Sequence, residues 1–307
     1  MFTGRHLWQT CAGVGLALLA FSAQAGWKDR MEALDQRYVS GVFRIYYTAN
    51  GLDAFNAEPA VIDTLARQLQ RADQFYAQQL GLMPPLRSPK YQEVRAIDVH
   101  LRRMEGQSGS AGDAAVTYRY RRFGDNVPAL TISLSTRWQP NHVTPEHEVF
   151  HAYQYGYTFF KNPWFLEGLA RSMEAVFRGK PESDEPLPQT PMALNELLTR
   201  SYSAAPVWTR LMRLCEPSCK VDKNSASFRP DATLCGGALV KPLLESLQKI
   251  DPDAAQARGL NPKDWPEHEQ SSNQNNPWIL KGLRQALEKQ CPISSQAELA
   301  TFHQLLK

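Results

Sequence analysis

The stretch His147-Glu148-Val149-Phe150-His151, followed sixteen residues later by Glu167 within Trp164-Phe165-Leu166-Glu167-Gly168-Leu169-Ala170, decides how the rest of the chain is read. Residues four apart on an α-helix lie nearly above one another on one face. On a helix, His147 and His151 therefore offer two imidazole nitrogens to one point, with Glu148 beside them. The local sequence favours that helix. Thr144 suits an N-cap, Pro145 the first helical position, and Glu146 places negative charge where the helix dipole welcomes it. Gly156 offers a stop. Pro163 then opens a second helix over residues 164–177, and the short connection makes the pair an antiparallel hairpin. The hairpin brings Glu167 back toward the two histidines.

Two imidazoles and a carboxylate are ligand types of a catalytic zinc site, where three protein ligands leave one position open. The candidate metal ligands are thus His147, His151 and Glu167, with one zinc per chain, and Glu148 stands within reach of a metal-bound water. Ligating histidines normally donate their other N–H to an acceptor. Glu174, two turns past Glu167 on the same face, is the candidate acceptor, and Asp231 an alternative. Tyr155, Tyr157, Tyr202 and His268 are candidates for a further donor to a developing oxyanion.

These residues resemble the gluzincin metallopeptidases, most closely the bacterial peptidase MA-like group. Upstream, Gly41-Val42-Phe43-Arg44-Ile45-Tyr46-Tyr47 resembles the strand that opens such domains. A long amphipathic helix and further strands follow it, ending in a last strand over Ala129–Ser135. Downstream, Cys235-Gly236-Gly237-Ala238-Leu239-Val240 resembles the Gly-rich start of a later helix. The resemblance covers about residues 41–178 well and 231–250 loosely. It implies an α+β, zincin-like fold, with a mixed β-sheet and the HExxH helix in an N-terminal lobe and a helical C-terminal lobe. It implies zinc on His147, His151 and Glu167, with Glu148 as general base in the hydrolysis of a peptide or protein substrate. It also implies that Ala129–Ser135 offers its free edge to an extended peptide, making Leu130, Ile132 and Leu134 the substrate-binding positions. Two other functions stay open: a non-catalytic peptide-binding scaffold on the same fold, and a zinc hydrolase acting on a cell-wall amide. Glu148 argues against the scaffold, because a purely structural metal has no use for a base beside it.

The ends and composition bound the rest. Residues 1–25 read as a signal peptide: Arg5 and His6 form the polar start, residues 12–21 an apolar core, and Ala23-Gln24-Ala25 a small-x-small cleavage site. Ten apolar residues fall short of the roughly 20 that span a bilayer, so no transmembrane segment is expected. Cleavage near Ala25-Gly26 would leave an exported chain, periplasmic or secreted. It also removes one basic residue and no acid, so the formal net charge falls from +3 to +2. That balance points to neither nucleic acid nor an anionic membrane as a partner. Of five cysteines, Cys215, Cys219, Cys235 and Cys291 remain, an even number that suits two disulfides in an oxidising compartment. Four cysteines allow three pairings; Cys215–Cys219 and Cys235–Cys291 are favoured, the first closing a short turn.

The expected layout is a catalytic lobe over residues 26–180 and a helical lobe over 181–307. Strands are expected at 42–48, 94–101 and 115–121, and a long helix at 59–80. The Gly/Ser-rich residues 106–112 read as a loop at the rim of the cleft, and Arg119, Arg121 and Arg122 as a solvated face. Residues 181–191, rich in proline and acids, read as a linker or surface excursion. Helices follow at 192–200, 206–214, 234–249, 278–290 and 295–306, with Pro242 as a kink.

Overall fold

Alternation of apolar and polar residues builds the sheet. In the computed structural model, which describes residues 31–56, 58–123, 127–178, 183–219 and 234–307, β1 (Gln36–Ser40) and β2 (Phe43–Tyr47) form an antiparallel hairpin. Gly41 supplies the left-handed φ, 59°, at the first position of its two-residue turn. Helix α1 (Pro59–Gln74), prolonged by a wider turn through Gln79, leads to β3 (Ala96–Arg102), which runs parallel to β2. β5 (Ala129–Ser135) runs parallel to β3, and the short β4 (Gly109–Ala111) pairs antiparallel with β5. The sheet order is β1-β2-β3-β5-β4, a mixed sheet in an α+β fold.

One face of the sheet is apolar. Phe43, Ile45, Ile97, Val99, Leu130 and Ile132 form a core with side chains such as Leu65 and Leu69 of α1 and Phe150 of the following helix. The other face carries Arg44, Tyr46, Asp98 and His100. There Tyr120 stacks on Tyr46 at 3.8 Å, and its hydroxyl donates to Asp98 Oδ2 at 2.6 Å and pairs with His100 Nε2 at 2.8 Å. A one-residue slip of β3 would push Asp98 and His100 into the apolar layer, so the register is strongly specified.

Three sequence expectations change here. Residues 115–121 form no strand; beyond a single bridge from Val116 to Ala129, the segment crosses the back of the sheet. Its tyrosines meet the polar groups there instead of continuing a ladder. Conversely, residues 109–111, expected as loop, pair as β4. The third change follows. β5 offers no free edge, because β4 covers it from Ile132 to Leu134. Leu130, Ile132 and Leu134 are at most 1% exposed. They are core residues, facing the helices, and cannot line a substrate surface.

Helices α2 (Thr144–Tyr157) and α3 (Pro163–Arg178) form the expected hairpin, and α4 (Pro191–Leu197), α5 (Ala205–Cys215) and α6 (Val240–Arg258) follow. The short α7 (Glu267–Gln270), α8 (Asn276–Gln290) and α9 (Ala297–Leu305) complete the chain. One apolar cluster runs from Phe43 to Leu306, across residue 180. Trp164 stacks on Trp208 at 5.7 Å, and the Trp208 indole donates to the Trp164 carbonyl. Pro242 falls in the first turn of α6, where proline costs little, rather than at a kink. Among the described residues no helix is long and apolar enough to cross a membrane. The signal peptide and Asp231 lie outside the described residues.

The disulfides are Cys215–Cys291 and Cys219–Cys235, not the favoured pairing. Cys215 ends α5 and Cys291 follows α8, and these two helix ends meet with Cα atoms 4.4 Å apart. Gly236 packs so closely on α5 that a Cβ there would fall 1.9 Å from the Met212 carbonyl oxygen. That approach brings Cys235 beside Cys219. Peptide mapping without reductant is expected to recover both cross-linked pairs. Replacing Cys215 and Cys291 with serine, which opens the bridge of sequence separation 76, should lower unfolding free energy by about 2–5 kcal/mol in denaturant titrations.

Candidate metal centre

The site is assembled by α2 and α3. α2 is buried along nearly its whole length, which leaves little freedom in its rotation. α1 holds it from behind: Arg71 pairs with Glu146, the Tyr76 hydroxyl donates to the Glu146 carbonyl, and the Tyr153 hydroxyl donates to Asp73. Gln68 donates to the carbonyls of Pro140 and His142 and so anchors the chain entering the helix. Thr144 is the first helical residue rather than a side-chain cap, and Pro145 occupies the first turn. α3 is positioned by Gly168, where a Cβ would come within 2.8 Å of the Ala204 Cβ and 3.1 Å of the Trp208 ring. Only a glycine lets α3 approach so closely without displacing these neighbours.

The hairpin brings His147, His151 and Glu167 to one point. Their ligand atoms all lie within 4.8 Å of one another. Glu167 Oε2 is 3.2 Å from His147 Nε2 and 3.3 Å from His151 Nε2. The other ring nitrogens also face acceptors. His147 Nδ1 is 2.9 Å from Glu174 Oε1, and His151 Nδ1 is 2.8 Å from Gln154 Oε1. Gln154 donates through Nε2 to the Leu166 carbonyl, an obligate acceptor, so its oxygen is the atom turned to His151. Each neutral imidazole has one N–H, and these partners claim it at Nδ1. With both rings neutral, as metal ligation requires, the Nε2 lone pairs point at a carboxylate oxygen, an arrangement that calls for a positive charge between them, supplied by a proton on His147 or by a cation. A divalent cation at this point satisfies all three groups, so the residues present fit a metal ion.

Electrostatics agree. Burial opposes a charge on His147, but hydrogen bonds to Glu167 and Glu174 outweigh it and raise its pKa to about 9. Burial works upward on Glu167 too, yet the two histidines hold it well below the usual carboxylate range. Glu148 is raised, chiefly by burial, against the pull of His151 and His147. The three ligands and Glu148 line a cavity of about 1030 Å³, which β4 borders with Ser108 and Ser110 flanking Gly109. A Cβ at Gly109 would sit 2.6 Å from Glu148 Oε1, so β4 presses directly on that carboxylate.

The other expected residues divide. Glu174, the candidate acceptor for a ligating histidine, meets His147 at Nδ1. Tyr202, in the turn Tyr202–Ala204, brings its ring to 5.8 Å from His147 and hydrogen-bonds Glu167. Tyr155 stacks on His151 with ring centroids 5.9 Å apart. Tyr157 points elsewhere, its hydroxyl accepting from the Met83 backbone, and His268 is exposed beside Glu269. Sequence reasoning missed Gln154, although its place three residues after His151 is a helical neighbour's. It also missed Arg171 and Arg178, both of which pair with Glu174. Gly109 had no signal, since its role comes from a strand that only the fold defines.

No family model matches the chain, and no curated protein matches it.

Metal binding must displace the proton from His147. Below a pKa of about 9 that proton competes with a cation, so affinity should rise with pH and level off above it. Calorimetric titration of the metal-free protein at pH 7.5, in buffers of different ionisation enthalpy, should show about one proton released per ion bound. Metal binding without proton release would contradict the site electrostatics.

Proposed function

We propose that this chain is an exported zinc-dependent peptidase of gluzincin type, acting at the centre made by His147, His151 and Glu167. The observation that carries the reading is the convergence of these three groups, each histidine oriented through its far nitrogen, with Glu148 buried next to them. A structural metal would need no such neighbour. Helix hairpin, mixed sheet and short antiparallel edge strand beside the cleft together support a zincin-like assignment. Two disulfides support an oxidising compartment.

Zinc, when bound, supplies Lewis acidity that polarises a scissile carbonyl and acidifies a water molecule. The chain's own groups do the rest. Glu148 takes a proton from the attacking water and passes it to the leaving amine. Burial and the neighbouring Glu167 carboxylate raise the Tyr202 phenol, so it stays protonated at neutral pH and available as a donor to the developing oxyanion. β4 assumes the role first expected of β5. It ends the sheet order beside the cleft, where an extended peptide can add as a further strand. A second cavity of about 860 Å³ shares Asn141, Val143 and Phe177 with the first, which gives a long substrate room beyond the metal.

The purified mature chain should carry about one zinc and cleave members of a broad peptide library, with activity lost to a chelator. Glu148→Gln should keep zinc while lowering turnover by a factor on the order of 10²–10⁴. Zinc without cleavage would shift the assignment to a binding scaffold or to a non-peptide amide substrate; no zinc would overturn it. Gly109→Ala tests the contact between β4 and Glu148. Its added Cβ meets both Glu148 Oε1 and, at 2.7 Å, Thr144 Cγ2. Zinc content should be unchanged while kcat falls roughly ten- to a hundredfold, since a displacement of about 1 Å is enough for that.

A further inference from the structure

The turn between α2 and α3 is held from several sides by later parts of the chain. Asp251 of α6 accepts from the Thr158 hydroxyl at 2.7 Å and from the Phe159 backbone N–H at 3.1 Å. The Phe159 ring stacks on Trp265 at 5.5 Å and has the Lys90 ammonium 3.5 Å from its centre. The Lys161 backbone N–H donates to the Gln270 carbonyl, and the Asn162 amide donates to Asn276 Oδ1 at 2.8 Å. The turn is therefore a fixed point at the end of both helices that carry the metal ligands.

From that point the Lys161 side chain, 11% exposed, reaches two carboxylates. Its ammonium lies 3.0 Å from Asp113 Oδ2 and 2.9 Å from Glu267 Oε2. It also lies 5.0 Å from the centre of the Tyr155 ring, which stacks on His151 and lines the metal cavity. Asp113 comes two residues after the end of β4, and the Tyr91 hydroxyl holds its carbonyl at 2.9 Å. β4 is three residues long and, among the described residues, pairs with β5 alone. Its ladder fixes its register. How far it stands from α2 is set by its side contacts, Gly109 against Glu148 at one end and Asp113 on Lys161 at the other.

We propose that Lys161 is a positioning residue: by holding Asp113 it sets the distance of β4 from the metal centre and so aligns an extended substrate on that strand. This rests on the peptidase reading of the site and on β4 as the strand to which a peptide adds. The effect of losing Lys161 is electrostatic. Two carboxylates bound to one ammonium lie within about 6 Å of each other and repel once it is gone. Glu267 is exposed on α7, whereas Asp113 is tied to β4, so the repulsion acts on the strand.

The test uses zinc-loaded protein and two substrates with the same scissile bond: a blocked dipeptide, too short to pair along β4, and a longer peptide. Lys161→Met should keep zinc content and cut the dipeptide as wild type does. On the longer peptide kcat/KM should fall about tenfold or more, through a rise in KM with little change in kcat. Lys161→Arg should restore the longer peptide, and Lys161→Met with Glu267→Gln should regain part of the loss, because the repulsion is then removed. Asp113→Asn should show the same rise in KM, and it serves in place of Lys161→Met should that variant not fold. An equal loss on both substrates, or no loss on either, overturns the proposal. Hydrogen exchange without substrate separates the two readings. In Lys161→Met, residues 108–113 should exchange faster while β3 is unchanged. That result in a protein that cuts neither peptide sustains the Lys161 tether and sinks the peptidase. Unchanged exchange and unchanged KM in an active peptidase do the reverse.

Discussion

His147 faces a carboxylate at each of its ring nitrogens, Glu167 at Nε2 and Glu174 at Nδ1. That double contact is the constraint on which the rest of the site depends. Glu174 fixes the tautomer and aims Nε2 at the point where His151 and Glu167 converge. Gln154 does the same for His151 through a neutral amide. The difference matters electrostatically. A carboxylate partner makes an imidazole a stronger ligand and a better proton acceptor, whereas an amide only orients it. The pair of arginines on Glu174 moderates this, spreading its charge toward the cleft.

The fold serves the site by removing freedom from two helices. α2 is enclosed by α1 behind, by β4 at the side and by α3 in front. Its face toward α1 carries the buried Glu146, paired with the partly exposed Arg71, and burial lifts Glu146 to about 7 against the pull of that arginine. Such a pair contributes little net stability once desolvation is counted, but a buried acid without its partner would be costly. It therefore resists rotation of α2, which would strand the carboxylate. On the other side, Gly168 sets the separation of α3 from α5, and hence how far Glu167 reaches. Gly109 sets the separation of β4 from Glu148. Two absent methyl groups thus let β4 and α3 approach their neighbours this closely.

Much of this was legible in the residues themselves, and the reasons are physical. A helix repeats every 3.6 residues, so the spacing of His147, His151, Glu167 and Glu174 carries their relative directions. Proline marked where the second helix of the hairpin opens, whereas α2 runs through Gly156, the expected stop, to Tyr157. The even cysteine count indicated two bridges. What stayed hidden was long-range. The three residues Gly109–Ala111 are too few and too small to show a strand pattern, so β4 read as loop and β5 read as an edge. Tyr118 and Tyr120 sit in a sequence of strand-like composition, yet on the back of the sheet Tyr120 turns its hydroxyl to Asp98 and His100 and Tyr118 sets its ring against His100. Cysteine pairing depends on which helix ends meet.

By itself, then, the sequence determined the local directions: which side chains share a helix face and which groups have the chemistry to bind a cation. Tertiary structure alone decided what closes the cleft, which strand borders it, how the cysteines pair, and that both arginines of α3 turn onto Glu174. Periodicity acts between neighbours along the chain and survives in one dimension. Contact between distant segments is set by packing, where a single glycine or a one-residue shift in a strand changes which surfaces can meet.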